Sequence, residues 1–294
     1  MVVKYILAKR YRIKLLLNLF NRNYSQKVQV QRIVEWLQHQ PLPQEPDWDD
    51  PTEFLLSINC NFDRITIYAG GDRDRFRELL FNFMLDSGLS DQKIEQLIAT
   101  DRQLDAEIIG TWMQTNVQGL DGGWYYPVDL PLDSVLPCLP PSADKITLIN
   151  WTRESNIIDC QFLRGSVGEH QSMMELFIAL PEVEIREQFQ LVQYLFESLD
   201  LPFFSTAIID TFSELGADAI GLAIALTMDG AIRAGIFILE PPTELVLTLA
   251  SLCKKFSDGK LALLEGCLDL NSSDILILSR YAWGLDVELF YSFS

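Results

Sequence analysis

Alternation along two stretches places an arginine and an aromatic ring on the same strand face. Over 64–69, Arg64, Thr66 and Tyr68 share one face and Ile65 and Ile67 the other; over 232–238, Arg233, Gly235 and Phe237 oppose Ile232, Ala234, Ile236 and Ile238. The same reading groups Glu53 with Ser57 and Asn59, Lys145 with Thr147, and Asp159 with Gln161. Guanidinium and ammonium groups hold anions, a carboxylate beside a reacting group removes a proton, and aromatic faces attract cations. Other chemistries lack material. The five cysteines are widely spaced without a C-x-x-C pair, and His39 and His170 are the only histidines. Neither a zinc site nor a Cys–His nucleophile pair is therefore indicated.

These faces must be carried by strands, and the chain reads as five β-hairpins with helices between them. The pairs are 53–59 with 64–69, 107–116 with 124–128, 145–152 with 157–163, 221–227 with 231–239, and 274–280 with 286–293. Met228-Asp229-Gly230 gives the fourth the clearest turn. Helical patterns fall at 74–86, 169–179, 182–199 and 242–256. The fold class is α+β, with antiparallel pairing and no parallel crossover spacing. Helices must cover the aliphatic strand faces, so the mixed faces point away from them. An open sheet would leave those faces in solvent, and a closed ten-stranded barrel would make them a lumen; the pattern alone permits both.

Composition narrows the class. A chain of 294 residues that is 48% hydrophobic buries a large core without a disulfide or metal staple. The 23 basic and 41 acidic residues give a net charge of −18, which disfavours nucleic acid as the main partner. No apolar run reaches the roughly 20 residues that span a bilayer, so no membrane partner is expected. An odd, dispersed set of cysteines fits a reducing, cytoplasmic compartment. Residues 1–33 hold eight Lys or Arg and no acid, and 41–51 are rich in Pro and acid. The reading is one domain over 1–294, with a basic helical lead and connector at 1–50 and the strand-bearing body at 51–294.

Several stretches resemble the ABBA-type prenyltransferases, and in particular the cyanobactin (PatF-like) branch that modifies ribosomal macrocyclic peptides. They are Asp63-Arg64-Ile65-Thr66-Ile67-Tyr68 leading through Asp72 and Arg73 to Phe76; Asp144-Lys145-Ile146-Thr147 with the 157–163 return; Gly230-Ala231-Ile232-Arg233; and Leu289-Phe290-Tyr291-Ser292-Phe293. The likeness is diffuse and spans roughly 50–294. It implies an ABBA (PT) barrel of ten antiparallel strands around a lumen with helices outside. It also implies transfer of a dimethylallyl or geranyl group from its diphosphate to a peptide side chain, with Mg2+ accompanying the diphosphate. No DDxxD box is present, since Asp101 and Asp105 form only D-x-x-x-D.

Under this resemblance Arg64, Lys145, Arg233 and Arg280 would bind diphosphate, and Arg153 is a weaker candidate. Glu53 would accept the proton. Tyr68, Phe237, Trp112 and Trp283 would shield the cation, with Trp124 and Phe290 as further candidates. Asp49, Asp159 and Gln161 would meet the acceptor. Paired carboxylates suit a guanidinium, which points to arginine as the side chain modified. A small indole or phenol acceptor is the alternative within the family, and a non-catalytic binding module the alternative outside it. Metal ligands and oligomeric state are not legible.

Overall fold

The computed structural model describes residues 53–59, 64–73, 77, 91–116, 119–126, 129–166, 173–215, 217, 219–252, 275–281 and 284–292. The lead and connector with Asp49, the 74–86 helix apart from Arg77, and Trp283 lie outside them.

The strands are β1 (Glu53–Asn59), β2 (Ile65–Asp72), β3 (Ile108–Asn116), β4 (Gly119–Tyr126), β5 (Leu130–Pro131), β6 (Asp159–Ser166), β7 (Met174–Ala179), β8 (Gly221–Thr227), β9 (Gly230–Leu239), β10 (Ile275–Tyr281) and β11 (Gly284–Ser292). All pair antiparallel with their neighbours, β11 returns to β1, and β4 pairs with β6. Ten strands thereby close into a barrel, while two-residue β5 adds only a short rung to β6. Helices α1 (Asp91–Leu104), α2 (Leu132–Val135), α3 (Ala143–Glu154), α4 (Ile185–Ser198), α5 (Thr206–Glu214) and α6 (Thr243–Ser251) lie outside. Their apolar stripes, such as Phe189, Val192 and Phe196 of α4, join outward strand residues such as Leu176, Ile224 and Ile236 in one core. A second, separate cluster fills the lumen.

Four of the five expected hairpins form. The third does not: 145–152 belongs to α3, and the partner of β6 is β7. Ser142 caps α3 by accepting from the Lys145 backbone N–H, and Leu148, Trp151 and Thr152 are buried at helical spacing. The β-branched run Ile146-Thr147 suggested a strand, yet Ile146 is exposed. Asn156, at φ 53°, lies beyond the helix end, where a hairpin turn was expected. Asp144 in the first turn accepts from the Ala231 N–H at 2.6 Å, tying α3 to β9. The helix expected over 169–179 is corrected as well, because 174–179 is strand β7. Met174 to Ile178 are buried on both strand faces, so no polar alternation betrays them.

Asp101 of the D-x-x-x-D pair is a buried anchor for α1. It accepts from the Tyr126 hydroxyl at 3.3 Å, and Arg73 and Arg77 reach it at 3.2 and 3.3 Å. Burial, followed by the Asp101 charge, raises the Tyr126 phenol above its ordinary range. The two described cysteines, Cys138 and Cys160, are unpaired, and burial pushes the Cys160 thiol up to about 12.

Closure between β4 and β6 runs through only four residue pairs, Gly123↔Ser166 to Tyr126↔Leu163. A Cβ at Gly123 would collide with the Gly165 carbonyl oxygen and the Trp112 indole. Gly123→Ala should therefore destabilise the fold by about 2 kcal/mol or more, read as a melting-temperature drop of at least about 4 °C. An unchanged melting temperature would show that the seam is not packed this way.

Candidate functional site

Because the ring has an even number of antiparallel strands, strand directions alternate consistently around it, and the layering can be read from the order of charge and ring along each strand. On β2 and β11 the sequence runs from charge to ring: Arg64 to Tyr68, and Asp286 and Glu288 to Phe290. On β7 and β9 it does the same, Glu175 to Phe177 and Arg233 to Phe237. On β6, which runs the opposite way, the order is Phe162 then Arg164. Every contributing strand thus places its ring on one side of its charge. The lumen is a charged layer with an aromatic layer stacked on it. The two are two residues of strand apart (about 7 Å) at Glu175–Phe177, Glu288–Phe290 and Phe162–Arg164, and four apart at Arg64–Tyr68 and Arg233–Phe237, whose long side chains reach back along the strand.

The aromatic layer is continuous. Ring centroids are 5.7 Å apart for Phe290 and Tyr68, 5.3 Å for Tyr68 and Tyr125, 5.4 Å for Tyr125 and Phe162, 5.0 Å for Phe162 and Phe177, and 5.6 Å for Phe177 and Phe237. Ile277 joins the same cluster beside Phe237, its strand partner. Glycines make the room. A Cβ at Gly70 or Gly110 would meet the Tyr125 ring, and one at Gly221 would meet Phe237.

The charged layer holds three guanidiniums and three carboxylates among the described side chains. Arg64 donates to Asp286 at 3.0 Å and to Glu288 at 2.8 Å. Glu288 also accepts from the Ser57 hydroxyl and lies 3.9 Å from Arg233. Glu175 accepts from Arg233 on one oxygen and from Arg164 on the other, and Arg164 also donates to the Tyr68 hydroxyl. The Arg164 guanidinium carbon sits 5.9 Å from the Tyr68 ring centroid and 5.7 Å from that of Trp112, so it joins the two layers.

Burial alone would raise the Glu288 carboxyl, but Arg64, Arg164 and Arg233 outweigh it and hold the group near a pKa of about 2. Burial disfavours charge on Arg164 too, yet Glu175 and Tyr68 leave it raised. The Tyr68 phenol is pushed up by burial against the pull of Arg164, so it stays protonated and can donate.

The structure brings together Arg64, Arg233, Tyr68, Trp112 and Phe237 in this lumen. Glu53 opens β1 opposite Gly70, on the lumen face and one strand step beyond the aromatic layer from the charges; its side chain lies outside the described residues. Other assignments need correction. Lys145 lies on α3 outside the barrel, its Nζ donating to the Pro137 and Leu139 carbonyls at 3.1 and 2.9 Å. Asp159 is exposed at the start of β6, opposite Pro131, and does not face inward. Gln161 is half-buried at the register shift between Cys160 and Phe162. Position 280 pairs with Leu285, which packs on the outer core, and so falls on the outward face of β10. Arg153 is exposed at the end of α3, and Trp124 packs in the outer core.

Sequence reasoning missed Arg164, Glu175, Asp286 and Glu288, along with Tyr125, Phe162 and Phe177. Asp286, Glu288 and Phe290 were legible as strict alternation against Leu285, Val287 and Leu289. The shift after Cys160 hid Arg164 by breaking the phase of β6.

No protein-family model matches the chain. It is 21% identical over 225 residues to a PH-domain-containing protein of Dictyostelium discoideum, and the match covers 73% of this chain and 49% of that protein, about half its length. Among solved structures it resembles 5-dimethylallyltryptophan synthase from Streptomyces coelicolor, with a TM-score of 0.63 at 10% identity over 97% of this chain and 95% of that one. It also resembles 6-dimethylallyltryptophan synthase from Micromonospora olivasterospora, crystallised with DMASPP and Trp, with a TM-score of 0.59 at 12% identity over 83% and 82%. The NotF prenyltransferase matches with a TM-score of 0.51 at 13% identity over 82% and 80%. The expected ABBA barrel is therefore the fold of this chain.

Glu288 is ionised in the folded state well below the ordinary 4.5, so its stabilisation is complete above about pH 4.5 and disappears as pH falls towards 2. Glu288→Gln should lower unfolding free energy at pH 7 by the order of 3 kcal/mol, and the gap from wild type should shrink through that window. Denaturant titrations at several pH values measure it, and a constant gap down to pH 2 would refute the ionised pairing.

Proposed function

We propose that the barrel transfers an isoprenyl group from its diphosphate to an indole or phenol ring, free or carried on a peptide. The observation that supports this reading is the stacking of a guanidinium-bearing layer under a continuous aromatic belt. In the proposed step the isoprenyl C1–O bond breaks and its electron pair leaves with diphosphate, whose charge Arg64, Arg164 and Arg233 offset. The allylic cation sits among Tyr68, Phe162, Phe177, Phe237 and Phe290, which attract it and exclude water. The acceptor ring approaches from the side away from the diphosphate and loses a proton as the new bond forms. Glu53 is the proposed proton acceptor, since position 53 lies on that side. The fold neighbours named for tryptophan prenylation favour a ring acceptor.

The cyanobactin-type arginine acceptor is the second reading. It rests on Asp49, Asp50, Glu53 and Asp159; with Asp159 exposed at the start of β6, less carboxylate remains to hold a guanidinium there. A non-catalytic barrel is a third, and the pairing of each inward guanidinium with a carboxylate is what favours it.

Among the described residues no group of three or more His, Cys, Asp or Glu is placed to hold a metal ion. The lumen carboxylates are engaged by arginines. Mg2+ is therefore proposed only as a companion that arrives with the diphosphate. No described helix is long and apolar enough to cross a membrane.

Mass spectrometry of the protein with dimethylallyl or geranyl diphosphate, Mg2+, and either tryptophan or macrocyclic peptides bearing Trp, Tyr or Arg decides between these readings. The expected result is a gain of one isoprene unit on a ring acceptor, with fragmentation locating it. Arg64→Ala should lower kcat/KM about a hundredfold or more, whereas Lys145→Ala should leave it within about threefold. Product on arginine alone would favour the peptide reading. Neither product nor diphosphate binding would sink the enzyme.

A further inference from the structure

We infer that Glu175 occupies the anion site of the empty barrel, and that a diphosphate binds only as Glu175 releases both of its arginines and takes up a proton from solvent. This rests on the diphosphate reading above and deepens it. Glu175 is fully buried on β7, and its two oxygens are committed to Arg164 from β6 and Arg233 from β9. Arg164 stands against the aromatic layer, donating to the Tyr68 hydroxyl beside the Trp112 ring, and Arg233 shares Glu175 with it, so the pair frames the place where the diphosphate of a prenyl donor must lie if its tail is to reach the belt. A ligand oxygen that takes them over leaves a buried carboxylate beside a polyanion, with no other described hydrogen-bond donor.

Two outcomes can relieve that carboxylate: exposure to water or protonation. Water is distant, because the residue has no accessible surface and its neighbours are also buried. The groups facing it are Arg164, Arg233, Tyr68 from β2 and Glu288 from β11. Glu288 keeps its ion pair with Arg64 and its hydrogen bond from Ser57 when the ligand arrives, and these hold it ionised, so it adds to the repulsion on Glu175. Neutralising Glu175 removes one like charge and turns it into a donor towards the ligand. No covalent bond changes: one proton moves from bulk solvent to a Glu175 carboxylate oxygen.

Calorimetric titration of the full chain with dimethylallyl thiolodiphosphate, in buffers of different ionisation enthalpy, counts the proton. At pH 8 the terminal phosphate is ionised, its pKa being about 6, so the ligand contributes little. The expected result is uptake of about one proton per ligand, with affinity falling roughly tenfold per pH unit from about pH 7.5 to 9. In Glu175→Gln the uptake should vanish, affinity should lose its pH dependence, and binding at pH 8 should tighten about tenfold or more. Should that variant fail to fold, the wild-type buffer series decides alone. Binding to wild type without proton uptake overturns the role of Glu175 and leaves the diphosphate reading standing. Uptake that disappears when Mg2+ replaces EDTA overturns it too, since the cation then does the compensating. No binding to either protein overturns the diphosphate reading itself.

Discussion

The lumen exists because β4 and β6 meet, and that contact is short. Four residue pairs join them, across a connection that contains β5, α2 and α3. Every other seam in the ring is a hairpin or a longer ladder. Here the backbones approach so closely that Gly123 has no room for a side chain. The Trp112 indole crosses from β3 to donate to the Gly165 carbonyl at 3.1 Å, fastening three strands at once. Without this closure the mixed strand faces would form the open, solvated sheet that the alternation equally allows. Arg164 would then lose both the Tyr68 hydroxyl and the ring faces of Tyr68 and Trp112.

Closure takes five charged side chains out of bulk water and half-buries a sixth, Arg64, and that is tolerable only because they interlock. An isolated buried ion carries a penalty of several kcal/mol, and attraction repays it only with good geometry and complete hydrogen bonding. The interlocking is in series: Asp286 to Arg64, Arg64 to Glu288, Glu288 towards Arg233, Arg233 to Glu175, Glu175 to Arg164, and Arg164 to Tyr68. Each carboxylate has at least one cation, so the low Glu288 pKa and the raised Arg164 pKa express the same balance from opposite sides. A hydrophobic lumen of equal volume would hold a barrel together as well or better. The retention of charge there is why a ligand-binding role is the more economical explanation of the layer.

Much of this was legible as pattern. Period-two alternation located β1, β2, β8 to β11 and the inward faces carrying Arg64, Tyr68, Arg233 and Phe237, because one face of each strand is aliphatic against the helices. The failures share a cause, namely places where burial is not one-sided. β7 is enclosed on both faces, so Met-Glu-Leu-Phe-Ile-Ala reads like a good helix former. Conversely, α3 exposes Ile146, which disguises its stripe of Leu148, Trp151 and Thr152. Lys145 followed α3 out of the site, and Glu175 entered it with β7. The two errors are therefore one, a single exchange of strand for helix that removed a cation and supplied a carboxylate.

That exchange changes the electrostatic character of the lumen. With Lys145 inside and Glu175 absent, the layer would be strongly cationic and would accept a diphosphate directly. With Glu175 inside, the guanidiniums are already satisfied, and an incoming anion must compete with a fixed carboxylate at the same donors. Because the carboxylate is tethered to β7, its effective concentration at Arg164 and Arg233 exceeds that of any free anion, and simple charge attraction does not favour the ligand. The advantage must come from the other end of the molecule. An apolar tail entering the aromatic belt supplies binding that Glu175 cannot match, at about 0.8 kcal/mol for each buried CH2. Inorganic anions lack that tail, so the same geometry that weakens diphosphate binding in general selects for diphosphates carrying a hydrocarbon.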